Sequence, residues 1–207
     1  MCISWVDCIP LPLYEKLRVL VFPVPQFLKE VGPLSGRVLD VGGGAGILAE
    51  KILQISPGVE YYLILDYSDK KIAAAKTKLA PFGKIGDCRN ADIRRLDIQE
   101  KFDYVIVCDV LHHLKREEKE PLLMEISKRL KPGGKLIIKD LDNKPRLGYW
   151  LNWVHDVLAT GSFNLDFPDF GYYQTICLKL GFTNFSTRSL KAMLPYNHRL
   201  LTAVKGS

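Results

Sequence analysis

The chain has 207 residues, 47% hydrophobic and 25% charged, with a formal net charge of +6. That length suits one domain with a sizeable core, and the composition excludes a disordered or fibrous chain. The basic excess is scattered and interrupted by acids, as in "KREEKEPLLMEISKRLK", so it reads as solubility charge and argues against a nucleic-acid partner, whose footprint clusters on one face.

The N-terminal stretch "MCISWVDCIPLPL" is apolar, yet it lacks a positive leading region and carries Asp7 and prolines, unlike a signal peptide. The uncharged run "VLVFPVPQFL" is ten residues long and holds two prolines, short of the roughly 20 needed to span a bilayer. Residues 1–33 are therefore expected to form a lid or helical segment, with peripheral membrane contact as the alternative. The five cysteines, Cys2, Cys8, Cys88, Cys108 and Cys177, form no CxxC pair, which argues against a disulfide framework or a metal site. A reducing, cytoplasmic setting follows as the expectation.

From Gly36 onward strand-like and helix-like segments alternate. "RVLDV" is a β-branched run, and Leu48, Ile52 and Ile55 then recur at helical spacing. "YYLILD" is the next strand, closed by Asp66, with Ser68 placed to cap a helix that buries Ile72, Ala75 and Leu79. "GKIGDCRNAD" has little apolar run and is the weakest strand candidate. "FDYVIVCDV" is apolar along its length, as a strand covered on both faces should be. "EEKEPLLMEISKRLK" begins acidic and ends basic, matching a helix dipole, and Pro132, Gly133 and Gly134 stop it before the strand "KLIIKDL".

The tail reads as a helix carrying Leu147, Leu151, Val154 and Leu158, an aromatic loop, the helical "YQTICLKLGF", and two closing strands in "NFSTRS" and "HRLLTAVK". The whole predicts an α/β, Rossmann-like, doubly wound sheet of seven mostly parallel strands with an antiparallel C-terminal hairpin and helices on both faces. Residues 35–140 would form the core, and 141–207 a substrate-side helix and the closing strands. In such sheets ligands sit beyond the carboxyl ends of the strands, where Asp40–Gly46, Asp66, Asp109–His113 and Asp140–Asp142 all fall.

"VLDVGGGAG" places a glycine turn after the first strand. Gly44 to Ala49 fits the loose dinucleotide pattern, but Asp40 would meet a pyrophosphate with like charge, and no lysine or arginine lies between Val41 and Glu50. A carboxylate there suits a cationic ligand group.

Asp40, Gly42, Gly44 and Gly46 make up the complete D-x-G-x-G-x-G motif of the class I S-adenosylmethionine-dependent methyltransferases, which this chain resembles over about residues 35–140 and loosely over 170–205. "RNADIRRL", "FDYVIVCDVLHHL" and "LKPGGKLII" resemble that family's later motifs in order. The resemblance implies S-adenosylmethionine as cofactor and S-adenosylhomocysteine as product, with Asp40, Gly42, Gly44 and Gly46 around the methionyl part. It places Asp66 on the ribose hydroxyls, Asp92 and Ile93 beside adenine, and Asp109 at the methionine end. Gly46 could equally serve helix packing, and Tyr67 could flank adenine or lie on the surface.

Two histidines are candidate bases. His112 and His113 point about 100 degrees apart if helical, so one should face the cleft, and the family's arrangement favours His112. His155 lies on the tail helix beside Leu151 and Leu158, as a base or a packed residue. The apolar tail residues Trp150, Trp153, Phe163, Phe167, Phe170 and Tyr172 point to a small or lipid-like acceptor. The competing readings are an RNA or protein methyltransferase, a noncatalytic cofactor-binding partner subunit, and a nicotinamide-dependent dehydrogenase.

Overall fold

In strand β1 (Ser35–Val41) successive side chains fall on opposite faces, and both faces are buried, so the apolar run has no polar alternation. The computed structural model describes residues 22–142, 165–191 and 197–206. Helix α1 (Val24–Val31) precedes β1, and α2 (Ile47–Ile55) follows the glycine turn. Then come β2 (Gly58–Asp66), α3 (Asp69–Leu79), β3 (Gly86–Asn90), β4 (Phe102–Cys108), α4 (Arg116–Arg129) and β5 (Leu130–Leu141). Helix α5 (Phe170–Lys179), β6 (Phe182–Leu190) and β7 (His198–Lys205) complete the described elements.

The seven strands form one sheet in the order β3-β2-β1-β4-β5-β7-β6. Strands β1 to β5 pair in parallel, while β7 is antiparallel to both β5 and β6. The expected closing hairpin exists, with β7 inserted next to β5 and β6 left at the edge. This is the predicted seven-stranded, mostly parallel fold.

One face buries Leu39, Leu63, Val105 and Ile138 against α4 and α5. The other buries Val38, Ile64, Ile106 and Ile137 against α1, α2 and α3. Alternate residues of each central strand thus serve opposite layers.

Local signals set most boundaries. Ser68 caps α3 by accepting from the Lys71 amide at 3.4 Å. Glu118 accepts from the Lys115 amide at 2.9 Å in the first turn of α4. Three boundaries differ from the sequence reading. β5 begins at Leu130, before the Pro-Gly-Gly stretch, with an irregular register opposite Phe102 and Tyr104. α5 starts at Phe170, capped by Asp169, and ends before Gly181 turns the chain into β6. The weak third-strand segment is a short edge strand in which Cys88 alone is fully buried, which is why its apolar signal is faint.

Candidate active site

The turn after β1 is built on positive φ at Gly42 (76°), Gly44 (58°) and Gly46 (75°), a region open to glycine and costly for other residues. A Cβ on Gly42 would lie 2.4 Å from Val110 Cγ2, so bare backbone here lets the turns after β1 and β4 touch. A Cβ on Gly43 would lie 2.7 Å from the Asp40 carboxyl carbon. A Cβ on Gly46 would lie 3.2 Å from Ala75 of α3 and 3.4 Å from Ile64, so its smallness serves helix packing as well as the turn.

Asp40 is 1% exposed, and its Oδ2 accepts from the Tyr62 hydroxyl at 3.0 Å. The carboxylate therefore lies beneath the turn as a platform, with an edge in the pocket. That pocket is lined by Phe22, Asp40, Gly42, Gly43, Ala45 and Cys108 among others, and among the described residues no lysine or arginine lines it. Burial, then Asp40, pushes the Tyr62 hydroxyl well above the usual tyrosine range, which keeps it a donor. Phe22 lines the pocket, and residues 1–21, which hold most of the expected N-terminal lid, lie outside the described residues.

At the end of β2, Asp66 Oδ2 accepts from the Gly44 amide and Oδ1 from the Ser68 amide, both at 3.0 Å. It is buried and couples the glycine turn to the start of α3. Each carboxylate oxygen keeps a second lone pair for a ligand hydroxyl. Tyr67 is 69% exposed, with the Lys71 ammonium 5.7 Å from its ring. Asp92 caps a short turn and is gripped by Arg94 at 2.8 Å, which holds its carboxyl below the usual range. Ile93 is partly buried against the core.

Beyond β4, Asp109 adopts φ of 54°, uncommon for a residue with a side chain. Its Oδ1 accepts from Lys139 Nζ at 2.5 Å. That lysine is fully buried, and its ammonium lies 4.5 Å from the Phe22 ring. The following turn, Leu111–His113, buries His112 and exposes His113, with the two ring centroids 3.9 Å apart.

His112 Nδ1 meets Oδ1 of Asp140, a fully buried carboxylate at the end of β5. Asp140 also accepts from the His112 amide at 3.2 Å and the Leu141 amide at 2.8 Å. A carboxylate surrounded by donors fixes the proton on Nδ1 and makes Nε2 the basic nitrogen. Phe167 stacks on the His112 ring at 5.3 Å and 12°.

Several residues escaped the sequence reading. Tyr62, Lys119, Lys139 and Asp166 were not singled out, and Asp140 was noted only as following a strand end. Lys139 and Asp140 carried a readable signal, two charges inside a strand buried on both faces. Lys119 stands one helical turn before Leu122 and Leu123 on the buried stripe of α4. Phe170 and Tyr173, by contrast, are core residues, so the aromatic character of α5 is mostly packing. His155, Trp150, Trp153 and Phe163 lie outside the described residues.

Residues 39–136 match the family model of a methyltransferase domain. The matched stretch is just under half of the chain, and the fold is that of solved methyltransferases. It is 33% identical over 132 residues to a ubiquinone biosynthesis O-methyltransferase of Bradyrhizobium sp. (strain ORS 278), covering 63% of this chain and 47% of that protein. The chain thus spans about half the length of that curated relative. Among solved structures, an O-methyltransferase family protein from Burkholderia thailandensis superposes with a TM-score of 0.77 at 18% identity, covering 94% of this chain and 59% of that one. Human N-acetylserotonin methyltransferase in complex with S-adenosylmethionine gives 0.66 at 24% identity, covering 83% and 48%. Among the described residues no helix is long and apolar enough to cross a membrane, and no cluster of three or more His, Cys, Asp or Glu could hold a metal.

Proposed function

We propose that the methyltransferase domain uses S-adenosylmethionine to methylate a hydroxyl oxygen of a small-molecule acceptor. The observation that carries this reading is the His112–Asp140 pair, a buried histidine with its tautomer set by a carboxylate, two residues from the Val110 contact with the glycine turn. A neutral hydroxyl is a poor nucleophile, and a positioned base removing its proton contributes roughly 10² to 10⁴ in rate. The names of two similar proteins, a ubiquinone biosynthesis O-methyltransferase and an O-methyltransferase family protein, support the same reading.

The site's chemistry fits the cofactor. A pocket lined by one carboxylate, bare backbone and apolar side chains, with no lysine or arginine among the described residues, suits a ligand bearing ammonium and sulfonium charge better than a diphosphate. Asp40, Gly42, Gly44 and Gly46 would hold the methionyl part, Asp66 the ribose, Tyr67, Asp92 and Ile93 the adenine side, and Asp109 the methionine end. When bound, the cofactor supplies a methyl group already activated by its sulfonium. The protein's share is orientation, exclusion of water and proton removal.

In that scheme His112 Nε2 takes the acceptor's proton, and Asp140 stabilises the resulting imidazolium across Nδ1. Phe22 and Phe167 shield the cleft from water. A lipid-like acceptor remains within the same chemistry. The buried free thiols of Cys88, Cys108 and Cys177 suit a reducing cytoplasm.

The test is transfer of labelled methyl from S-adenosylmethionine to a fractionated cell extract. Label in a hydroxyl-bearing small molecule, lost in His112→Asn, supports the proposal. Label confined to RNA or protein, or cofactor binding without transfer to any fraction, overturns it.

A further inference from the structure

Lys119 is a fully buried cation whose Nζ donates to both Oδ2 and the carbonyl oxygen of Asp166, each at 2.8 Å. Asp166 belongs to a strap, residues 165–169, that crosses the His112 turn before α5. Its amide donates to the His112 carbonyl at 3.0 Å, and its carboxylate is held from outside by Arg116 at 2.6 and 2.9 Å. The next residue, Phe167, supplies the ring stacked on His112.

Asp140 adds a weaker coulombic attraction on the Lys119 charge. The lysine is thus paired with the strap carboxylate and within the field of the carboxylate bonded to the histidine. Tyr173 completes the cluster: its side chain is buried, its hydroxyl has no hydrogen-bond partner among the described residues, and Asp140 and Asp166 are the carboxylates acting on it. A buried cation is costly unless paired, so its place on the apolar stripe of α4 calls for a role that leucine would not serve.

We propose that Lys119 is a positioning residue for the His112–Asp140 pair, tying the 165–169 strap to the histidine turn and setting the basicity of His112 through the charge it shares between Asp166 and Asp140. With Asp166 neutralising Lys119, the negative charge of Asp140 is left to stabilise the imidazolium. Without Asp166, the ammonium draws on Asp140 and repels a protonated His112. This rests on the reading of His112 as the base.

Among the described residues the titratable neighbours of the His112 turn, besides Asp140 and the Lys119–Asp166 pair, are His113, whose ring lies 3.9 Å away, and Arg116 of α4, which grips Asp166, with Tyr172 and Tyr173 on α5 near that pair; none changes in the test. The measurement is the His112 pKa by ring-carbon NMR in the protein without cofactor, assigned with His112→Asn, alongside the pH profile of kcat. Asp166→Asn should lower the pKa and Lys119→Met should raise it, each by about one unit or less. Lys119→Arg should hold both the pKa and kcat near the parent, and the double variant Lys119→Met with Asp166→Asn should return the pKa toward the parent value. Faster exchange of the Asp166 amide in both single variants is the sign that the strap has come loose.

Shifts of the same sign, or none, in the two single variants would overturn the proposal. If Lys119→Met fails to fold, Asp166→Asn and Lys119→Arg still decide it, since only a charge role predicts a shift in the first and none in the second. Opposite shifts without any methyl transfer would uphold the tuning and remove the proposed function; transfer lost in His112→Asn with unmoved shifts would do the reverse.

Discussion

The Tyr62 hydroxyl donates to Asp40 Oδ2 at 3.0 Å directly beneath Gly43, so the acid of the glycine turn is held from below by a neighbouring strand. The two residues lie on the same face of adjacent parallel strands, Asp40 pairing with Ile64 and Val38 with Tyr62. Removing the donor would leave a buried carboxylate short of one hydrogen bond. Tyr62→Phe should destabilise the fold by about 1–3 kcal/mol. It should also raise the Asp40 pKa, so that affinity for an adenosyl cofactor weakens as the pH falls. Chemical denaturation and calorimetry at several pH values check both.

The glycine turn makes a sharper stability prediction. At Gly42 a side chain would meet left-handed backbone and Val110 Cγ2 at 2.4 Å, whereas at Gly32, also at positive φ, a Cβ would touch nothing within 4 Å. Gly32, at φ 72° and ψ −177°, lies in an extended positive-φ region open essentially to glycine, so Gly32→Ala should cost that backbone penalty alone, about 1–3 kcal/mol. Gly42→Ala should cost clearly more and abolish cofactor binding. Equal losses in the two variants would show that the contact between the turns after β1 and β4 is slack.

Alkaline pH should unfold the protein in a predictable window. Burial, then Asp87, pushes Tyr61 up to about 12, burial and Asp40 raise Tyr62, and burial raises Tyr173. Unfolded tyrosines ionise near pH 10, so above that the unfolded chain binds fewer protons than the folded one and stability falls. Its full contribution is present below pH 10. Urea midpoints from pH 8 to 11 should decline, and the decline should be shallower in Tyr173→Phe.

Catalysis should separate from binding at the dyad. His112→Asn should reduce methyl transfer about 10² to 10⁴-fold while leaving cofactor affinity within a few fold. Asp140→Asn should act in the same direction, by removing the group that fixes the Nδ1 proton. Single-turnover rates with a responsive acceptor, compared with calorimetric affinities, distinguish this from a merely structural histidine.

The order of elements was legible in the sequence because the strands buried on both faces read as continuous apolar runs and the helices carried their own caps, Ser68 above all. The glycine motif located the positive-φ turn after β1. The edge strand Gly86–Asn90 was faint because one face lies open, and its Asp92 proves to be tied to Arg94. The Lys119–Asp166 and Lys139–Asp109 pairs were hidden for another reason: each joins residues 47 or 30 positions apart, and opposite charges look like surface until the fold brings them together. Asp40 was read as a charge facing the ligand; it lines the pocket, and the Tyr62 hydroxyl that holds it from below had no signal in the sequence.

Calorimetric titration of the protein with S-adenosylhomocysteine and, separately, with NADH measures the central claim directly. A saturable isotherm with the adenosyl compound, abolished by Gly42→Ala, and no heat with NADH is the predicted result. Binding of NADH at the glycine turn, with none of S-adenosylhomocysteine, would contradict it.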